Sequence, residues 1–118
     1  MAVTVVIVDD HAAFRSSARR MLEDEGFDVV GEAADGVSAI ATVRATDPDV
    51  VLLDIALPDL SGYDVAERLA DSSSKVVLTS SRAHGDLGRR LRESCALGFI
   101  PKDRLSSDAI RALLEHAA

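Results

Sequence analysis

The sequence has very few cysteines and aromatic residues, and each shortage excludes something. The single cysteine, Cys95, cannot form a disulfide within the chain, which favours a reducing, cytoplasmic setting. Aromatic residues make up only 3% of the chain, so the core must be built from Val, Leu, Ile and Ala. The apolar run Val3–Val8 is too short for a signal peptide or a membrane span. We therefore expect a cytoplasmic protein that makes no membrane contact.

Positive charge is also scarce. The 13 Lys and Arg residues are outnumbered by 20 Asp and Glu residues, for a net charge of -7 with His neutral. Nucleic-acid binding needs clustered cations, so this balance argues against DNA binding by the chain alone and favours metal cations or basic protein surfaces. With 118 residues, 47% of them apolar, the chain is long enough for one compact domain over residues 1–118.

Apolar runs of strand length alternate with amphipathic stretches along the chain. Predicted strands cover Val3–Val8, Phe27–Glu32, Val50–Leu53, Lys75–Thr79 and Gly98–Ile100. Predicted helices cover Ala12–Glu25, Val37–Ala45, Tyr63–Ala70, Asp86–Cys95 and Ser107–His116. Gly26 and Asp47-Pro48 are expected to end the first two helices, and Ser61 to cap the third.

This alternation predicts an α/β fold with a doubly wound, five-stranded parallel sheet and helices on both faces. Strands buried on both faces read as continuous apolar runs, as these do. Five units fit the strand order 2-1-3-4-5. In that order, ligands bind outside the carboxyl ends of the strands, near the switch between the first and third strands.

Reactive side chains stand where four of the predicted strands end. They are Asp9, Asp10, Asp54, Thr79, Ser80 and Lys102. The first and third strands are neighbours in the expected order, so three carboxylates should meet in one cleft and raise one another's pKa. A divalent cation would remove that repulsion. A few hard oxygen ligands with open positions suit Mg²⁺.

The same cleft holds the groups that phosphorylation of a carboxylate requires. A metal and Lys102 can balance charge on the transferring oxygens while Asp54, alone at the central strand, attacks phosphorus. Asp9 and Asp10 are suited to holding the ion, and we expect both to lie just past the sheet edge in reach of water, rather than as buried charges. Simpler interpretations are that each Asp forms a helix cap and that Lys102 is a solvated surface residue. His11 is either a metal ligand or a solvent-exposed start of the first helix.

Four stretches together resemble the receiver domain of two-component response regulators. They are VVIVDDH at the start, PDVVLLDIALPDLSG around Asp54, VVLTSS in the fourth strand and GFIPKD near the end. The resemblance covers nearly the whole chain and implies the flavodoxin-like receiver fold. The stretch GFDVVGEAADG further resembles receivers joined to a C-terminal helix-turn-helix domain. DNA would then be bound only through such an output domain, which this chain does not include.

The resemblance also implies roles for particular residues. A sensor histidine kinase would donate a phosphoryl group to Asp54, and Lys102 would pair with the phosphate. Mg²⁺ would be held by Asp9, Asp10, Asp54 and the backbone carbonyl of Ala56. These assignments make the protein a phosphoacceptor that regulates transcription, and not an enzyme that turns over a separate substrate.

The switch that reads the phosphate would consist of a hydroxyl and an aromatic ring. The family spacing from Lys102 points to Ser80 as the hydroxyl, while the pattern VVLT suggests Thr79; we prefer Ser80. Phe99 matches the aromatic residue that turns inward when the hydroxyl engages phosphate. The face formed by the fourth helix, fifth strand and fifth helix would then change shape. A partner or a second copy of the chain would bind this face according to the phosphorylation state.

Two positions depart from the family pattern. Asp103 follows Lys102 where proline is common, and Pro101 precedes it, so a cis bond after the lysine cannot be assumed. The residues flanking the site are Ala56 and, if Ser80 is the hydroxyl, Arg82. Because Ala56 cannot orient an attacking water, we expect slow loss of phosphate.

Two rival functions remain open from the sequence. One is a receiver-like adaptor that binds partners without phosphorylation. The other is a small phosphohydrolase with an aspartyl nucleophile, although such enzymes place a second Asp where this chain has Ala56.

Overall fold

A single parallel sheet organises the computed structural model, which describes residues 2–81 and 93–117. The strands are β1 (Thr4–Val8), β2 (Asp28–Ala33), β3 (Val50–Asp54), β4 (Lys75–Ser80) and β5 (Gly98–Pro101). Their order is β2-β1-β3-β4-β5, and every neighbouring pair is parallel. The predicted strands and their order are confirmed, and most strand ends extend one residue beyond the prediction.

Four helices lie in the described residues. They are α1 (Ala12–Asp24), α2 (Gly36–Thr46), α3 (Gly62–Arg68) and α4 (Ser107–Ala117). The predicted stops are confirmed: Gly26 follows α1 with φ 91°, and Asp47 ends α2 with φ 47°. The Ser61 side chain accepts a hydrogen bond from the Asp64 N–H at the start of α3. Helix α4 is the fifth predicted helix, while most of the fourth, Asp86–Cys95, lies outside the described residues.

Helix α3 ends two residues before the predicted Ala70. After Arg68 the backbone tightens, because the N–H of Ala70 bonds to the carbonyl of Glu67 rather than continuing the helical ladder. The polar segment that follows then leads into β4.

The sheet is buried on both faces, as the continuous apolar strands indicated. Alternate side chains of each strand point to opposite faces and form two apolar clusters. One cluster lies between the sheet and helices α2 and α3, and the other between the sheet and helices α1 and α4. This burial holds the strand ends rigidly against one another. In residues 2–81 and 93–117, no helix has the length and apolar character needed to cross a membrane.

Candidate functional site

Asp54 is the last residue of β3, and only 3% of it is exposed. Its Oδ1 accepts a hydrogen bond from the Ala56 N–H at 3.1 Å, and its Oδ2 lies 3.2 Å from Lys102 Nζ. Burial raises the pKa of Asp54 above its ordinary value. The Ala56 N–H and the Lys102 charge oppose the rise without cancelling it, and the negative charge of Asp9 adds to it. The result is a desolvated carboxyl group in a fixed position.

Asp9 lies beside this group and is fully buried, which contradicts the expectation that both acids of the pair reach water. The hydrogen bonding of β1 continues past its last residue, because the Asp9 N–H donates to the Ala33 carbonyl at 3.0 Å. Lys102 then covers the carboxylate, with Nζ 2.5 Å from Asp9 Oδ2. The expectation was wrong because a residue just after a strand can still belong to its ladder and be covered by a distant part of the chain.

Asp10 and His11 occupy the exposed mouth of the same site. His11 Nδ1 lies 3.0 Å from Asp9 Oδ1 and 3.1 Å from Asp10 Oδ1. One ligand atom from each of Asp9, Asp10, His11 and Asp54 lies within 4.8 Å of the others. His11 precedes α1 and is exposed, as one of the two interpretations predicted, yet it also reaches the acidic group. Three carboxylates this close are a donor set that fits Mg²⁺, since this ion prefers hard oxygen ligands.

Lys102 connects the two buried carboxylates and is not a solvated surface residue. Its side chain is only 13% exposed, and Nζ contacts both Asp9 and Asp54. Burial lowers the pKa of Lys102, but the hydrogen bond to Asp9 and the charge of Asp54 raise it by more. The side chain is therefore a charged ammonium at neutral pH.

The two candidate switch hydroxyls are both buried in β4. Thr79 is the register partner of Asp54. Strand alternation places Ser80 on the sheet face that carries Leu78 and Phe99, and Thr79 on the opposite face. Within the described residues, Thr79 Oγ1 has no hydrogen-bond partner. Both hydroxyls stand near the end of β3, but only Ser80 shares a face with Phe99.

The loop from β3 to α3 folds back tightly against the end of β3. The Gly62 N–H donates to the Ile55 carbonyl at 2.7 Å, and Ala56 forms a bridge with Ser61. A Cβ at Gly62 would lie 2.6 Å from the Asp54 carbonyl oxygen, so only glycine fits this approach. The tight loop positions the Ala56 N–H that bonds to the Asp54 carboxylate.

Two supporting residues escaped the sequence analysis. Asp59 accepts hydrogen bonds from the N–H groups of Gly36 at 2.7 Å and Val37 at 3.0 Å. It therefore ties the loop between β3 and α3, called the site loop below, to α2. Arg15 Nη1 donates to the Asp9 carbonyl at 2.5 Å, while its Nε bonds to Glu32 at 3.2 Å. No short sequence pattern predicts either contact, because the partners come from different elements.

Comparison with known proteins shows the family of the chain. Residues 5–115 match the family model of the response regulator receiver domain. The chain belongs to the response regulator receiver family.

Relatives and solved receivers agree with this assignment. The chain is 32% identical over 114 residues to the response regulator UvrY of Escherichia coli O6:H1, covering 94% of this chain and 52% of UvrY. It is 34% identical over 110 residues to the transcription regulator BvgA of Bordetella pertussis, covering 92% of this chain and 53% of BvgA. The receiver domain of NarL from Mycobacterium tuberculosis superposes with a TM-score of 0.88 at 34% identity, covering 98% of this chain and 96% of that one.

The receiver spans about half the length of the curated relatives it matches. Those relatives are transcriptional regulators and response regulators by name, so this chain is homologous to the receiver part of such proteins.

The structure describes most of the positions at which the sequence departs from the usual receiver pattern. Pro101 is the last residue of β5 and pairs with Ser80. Lys102 opens a short 3-10 turn that includes Asp103, and the described residues contain no cis peptide bond. Arg82, the other residue expected to flank the site, lies outside the described residues.

Proposed function

We propose that this receiver accepts a phosphoryl group on Asp54 from a sensor histidine kinase in the cytoplasm, and thereby controls an output that acts on transcription. The observation that carries the proposal is the buried Asp54 carboxyl group with Lys102 Nζ at 3.2 Å. Asp9 and Asp10 each place a carboxylate oxygen within 4.8 Å of an oxygen of the same carboxyl group. Membership in the receiver family and the homologous transcriptional regulators support it.

In this proposal Asp9, Asp10, Asp54 and the backbone carbonyl of Ala56 hold Mg²⁺. The donor set supports the assignment, because the carboxylate oxygens lie close together and oxygen ligands suit this ion. When bound, the ion supplies positive charge that offsets the repulsion between the carboxylates and the oxygens of the incoming phosphoryl group.

The reaction transfers one phosphoryl group and requires no other co-reactant. An oxygen of the ionised Asp54 carboxylate forms a bond to phosphorus while the bond between phosphorus and the histidine nitrogen of the kinase breaks. The electron pair of the broken bond stays on that nitrogen, which takes a proton from solvent. Lys102 stabilises the transferring oxygens with its charge. Because burial raises the pKa of Asp54, Lys102 also helps to keep the nucleophile ionised.

The bound phosphate then shifts the population of two receiver conformations. The Ser80 hydroxyl, with Thr79 as the alternative, bonds to the phosphate, and Phe99 turns into the space that this movement leaves. The shared sheet face of Ser80 and Phe99 supports Ser80. The surface formed by the predicted fourth helix, β5 and α4 is where an output domain or a second receiver would bind.

Mass spectrometry after incubation with a small phosphodonor and Mg²⁺ tests the proposal. We expect one added phosphate on the wild type, none on Asp54→Asn, and one on Asp28→Asn, a control at an exposed carboxylate that begins β2. If the wild type gains no phosphate, the adaptor function is favoured. If it turns over the donor many times, the phosphohydrolase is favoured.

A further inference from the structure

Phe14 lies over the ammonium group of Lys102. The distance from Nζ to the centre of the ring is 4.5 Å, within the range of a cation–π interaction. Phe14 belongs to α1 and Lys102 follows β5, so the contact joins two elements that are distant in sequence. The negative face of the ring attracts the cation where two carboxylates already hold it.

The buried surroundings of Lys102 strengthen its attraction to the Phe14 ring. The ammonium is largely removed from water, with Asp9 at 2.5 Å, Asp54 at 3.2 Å and the ring of Phe14 as its neighbours. Cation–π attraction is strongest where the cation is desolvated. A lysine side chain has four flexible carbon bonds, so a ring that restrains its end also reduces the entropy lost when it engages a ligand.

We infer that Phe14 is a positioning residue for phosphotransfer, which holds the Lys102 ammonium over the phosphoacceptor site through its aromatic ring. The inference rests on the proposed phosphorylation of Asp54. The apolar spacing of α1 accounts for Phe14 as a core residue, and its ring does pack against that cluster. Packing alone needs only an apolar side chain of similar size, whereas positioning the ammonium needs the negative face of an aromatic ring.

The experiment compares Phe14→Leu and Phe14→Met, which keep apolar volume, with Phe14→Tyr, which keeps an aromatic face. Phosphorylation rates are measured by mass at saturating small phosphodonor over a range of Mg²⁺ concentrations. We expect Leu and Met to lower the maximal rate about three- to thirty-fold, and Tyr to stay within about two-fold of the wild type. The Mg²⁺ concentration at half-maximal rate should change little, because no carboxylate is altered.

Phe27 provides a matched control. Its ring lies 4.4 Å from the guanidinium carbon of Arg111, so Phe27→Leu removes a similar contact from a different part of the protein. That variant is expected to keep the wild-type rate. An NMR readout on the Lys102 side chain adds a check on position: ring-current shifts of its terminal CH₂ should persist in Phe14→Tyr and vanish in Phe14→Leu.

The outcomes separate the two ideas. A wild type that gains no phosphate overturns the proposed function together with this inference. A phosphorylated wild type with equal rates in Phe14→Leu overturns only the inference, as does a Tyr variant that is as slow as Leu. If Phe14→Leu does not fold, the Met and Tyr variants decide the question in the same way.

Discussion

Two adjacent carboxylates show how different the environments of neighbouring residues can be. Asp9 is fully buried and contacts Lys102, whereas Asp10 is exposed beside His11. The difference arises because the ladder of β1 extends to Asp9, and consecutive side chains of an extended chain point in opposite directions. The acidic pair is therefore one buried group inside the site and one solvated group at its mouth.

If Asp54 is phosphorylated as proposed, the residue two positions after it should control how long the phosphate lasts. Ala56 has no polar side chain, so it cannot hold a water molecule in line with the phosphorus. We expect Ala56→Asn to shorten the lifetime of the acyl phosphate roughly ten-fold, since one hydrogen bond to the attacking water is worth about 1.4 kcal/mol. The decay of phosphorylated protein, followed by mass, measures this. Ala45→Asn, on the exposed side of α2, is the control. Rapid loss from the wild type that Ala56→Asn does not accelerate would contradict the expectation.

At the scale of elements, the site depends on one loop that is held at two points. The loop between β3 and α3 packs against Asp54 through Gly62 and is tied to the first turn of α2 by Asp59. The N-terminus of a helix has unpaired N–H groups and a partial positive charge, so a carboxylate there satisfies both. Hydrogen bonds from Gly36 and Val37 accordingly lower the pKa of Asp59.

This capping contact predicts a pH-dependent contribution to stability. A group whose pKa is lowered on folding stabilises the protein above its ordinary pKa of 3.8, and the contribution is lost as the pH falls through the folded-state value. Asn resembles the protonated Asp59, so Asp59→Asn should unfold at a lower urea concentration near neutral pH and approach the wild type in acid. Urea titrations across this range measure the difference, with Asp28→Asn as control. A difference that stays constant with pH would refute the contribution of the charge.

At the scale of the whole molecule, a rigid sheet forces charged groups into its interior. Helices cover both faces, so the ends of β1, β3 and β5 converge, and Asp9, Asp54 and Lys102 lose most of their water. Two carboxylates share one ammonium, which leaves an excess of buried negative charge. Such an arrangement costs stability in the absence of a further cation, because desolvated charges are unfavourable unless fully paired.

Thermal unfolding should reveal that cost. The pKa of Asp54 is raised on folding, so its contribution favours folding below the ordinary pKa and is lost as the pH rises through the folded value. At neutral pH in EDTA, Asp54→Asn should therefore melt above the wild type, while Asp28→Asn should not. Mg²⁺ should raise the melting temperature of the wild type, since a ligand at one hundred times its Kd adds about 2.7 kcal/mol to the free energy of unfolding. The melting temperature of Asp54→Asn should rise by less. An Asn variant that melts lower in EDTA would show that the ionised Asp54 stabilises the fold.

Most of the fold was predictable because its signals are local. Each strand contains a short apolar run, and the helix ends at Gly26 and Asp47 and the N-cap at Ser61 follow from conformational preferences of single residues. The reactive side chains were predictable for a related reason, since the ends of parallel strands share one edge of the sheet. The functional roles of all these site residues, including Ser80, Phe99 and the Ala56 carbonyl, stay predictions, and the fourth helix lies mostly outside the described residues.

The sequence by itself therefore determined the five strands and the carboxyl ends of strands at which Asp9, Asp54 and Lys102 stand, and it favoured the strand order that the sheet confirms. Only the tertiary structure decided that Asp9 is buried, that Asp59 holds the site loop and that Phe14 faces the ammonium. The reason is physical. Strand formation and capping depend on residues a few positions apart, whereas desolvation and ring–cation contacts depend on distances between elements, which exist only after the chain has folded.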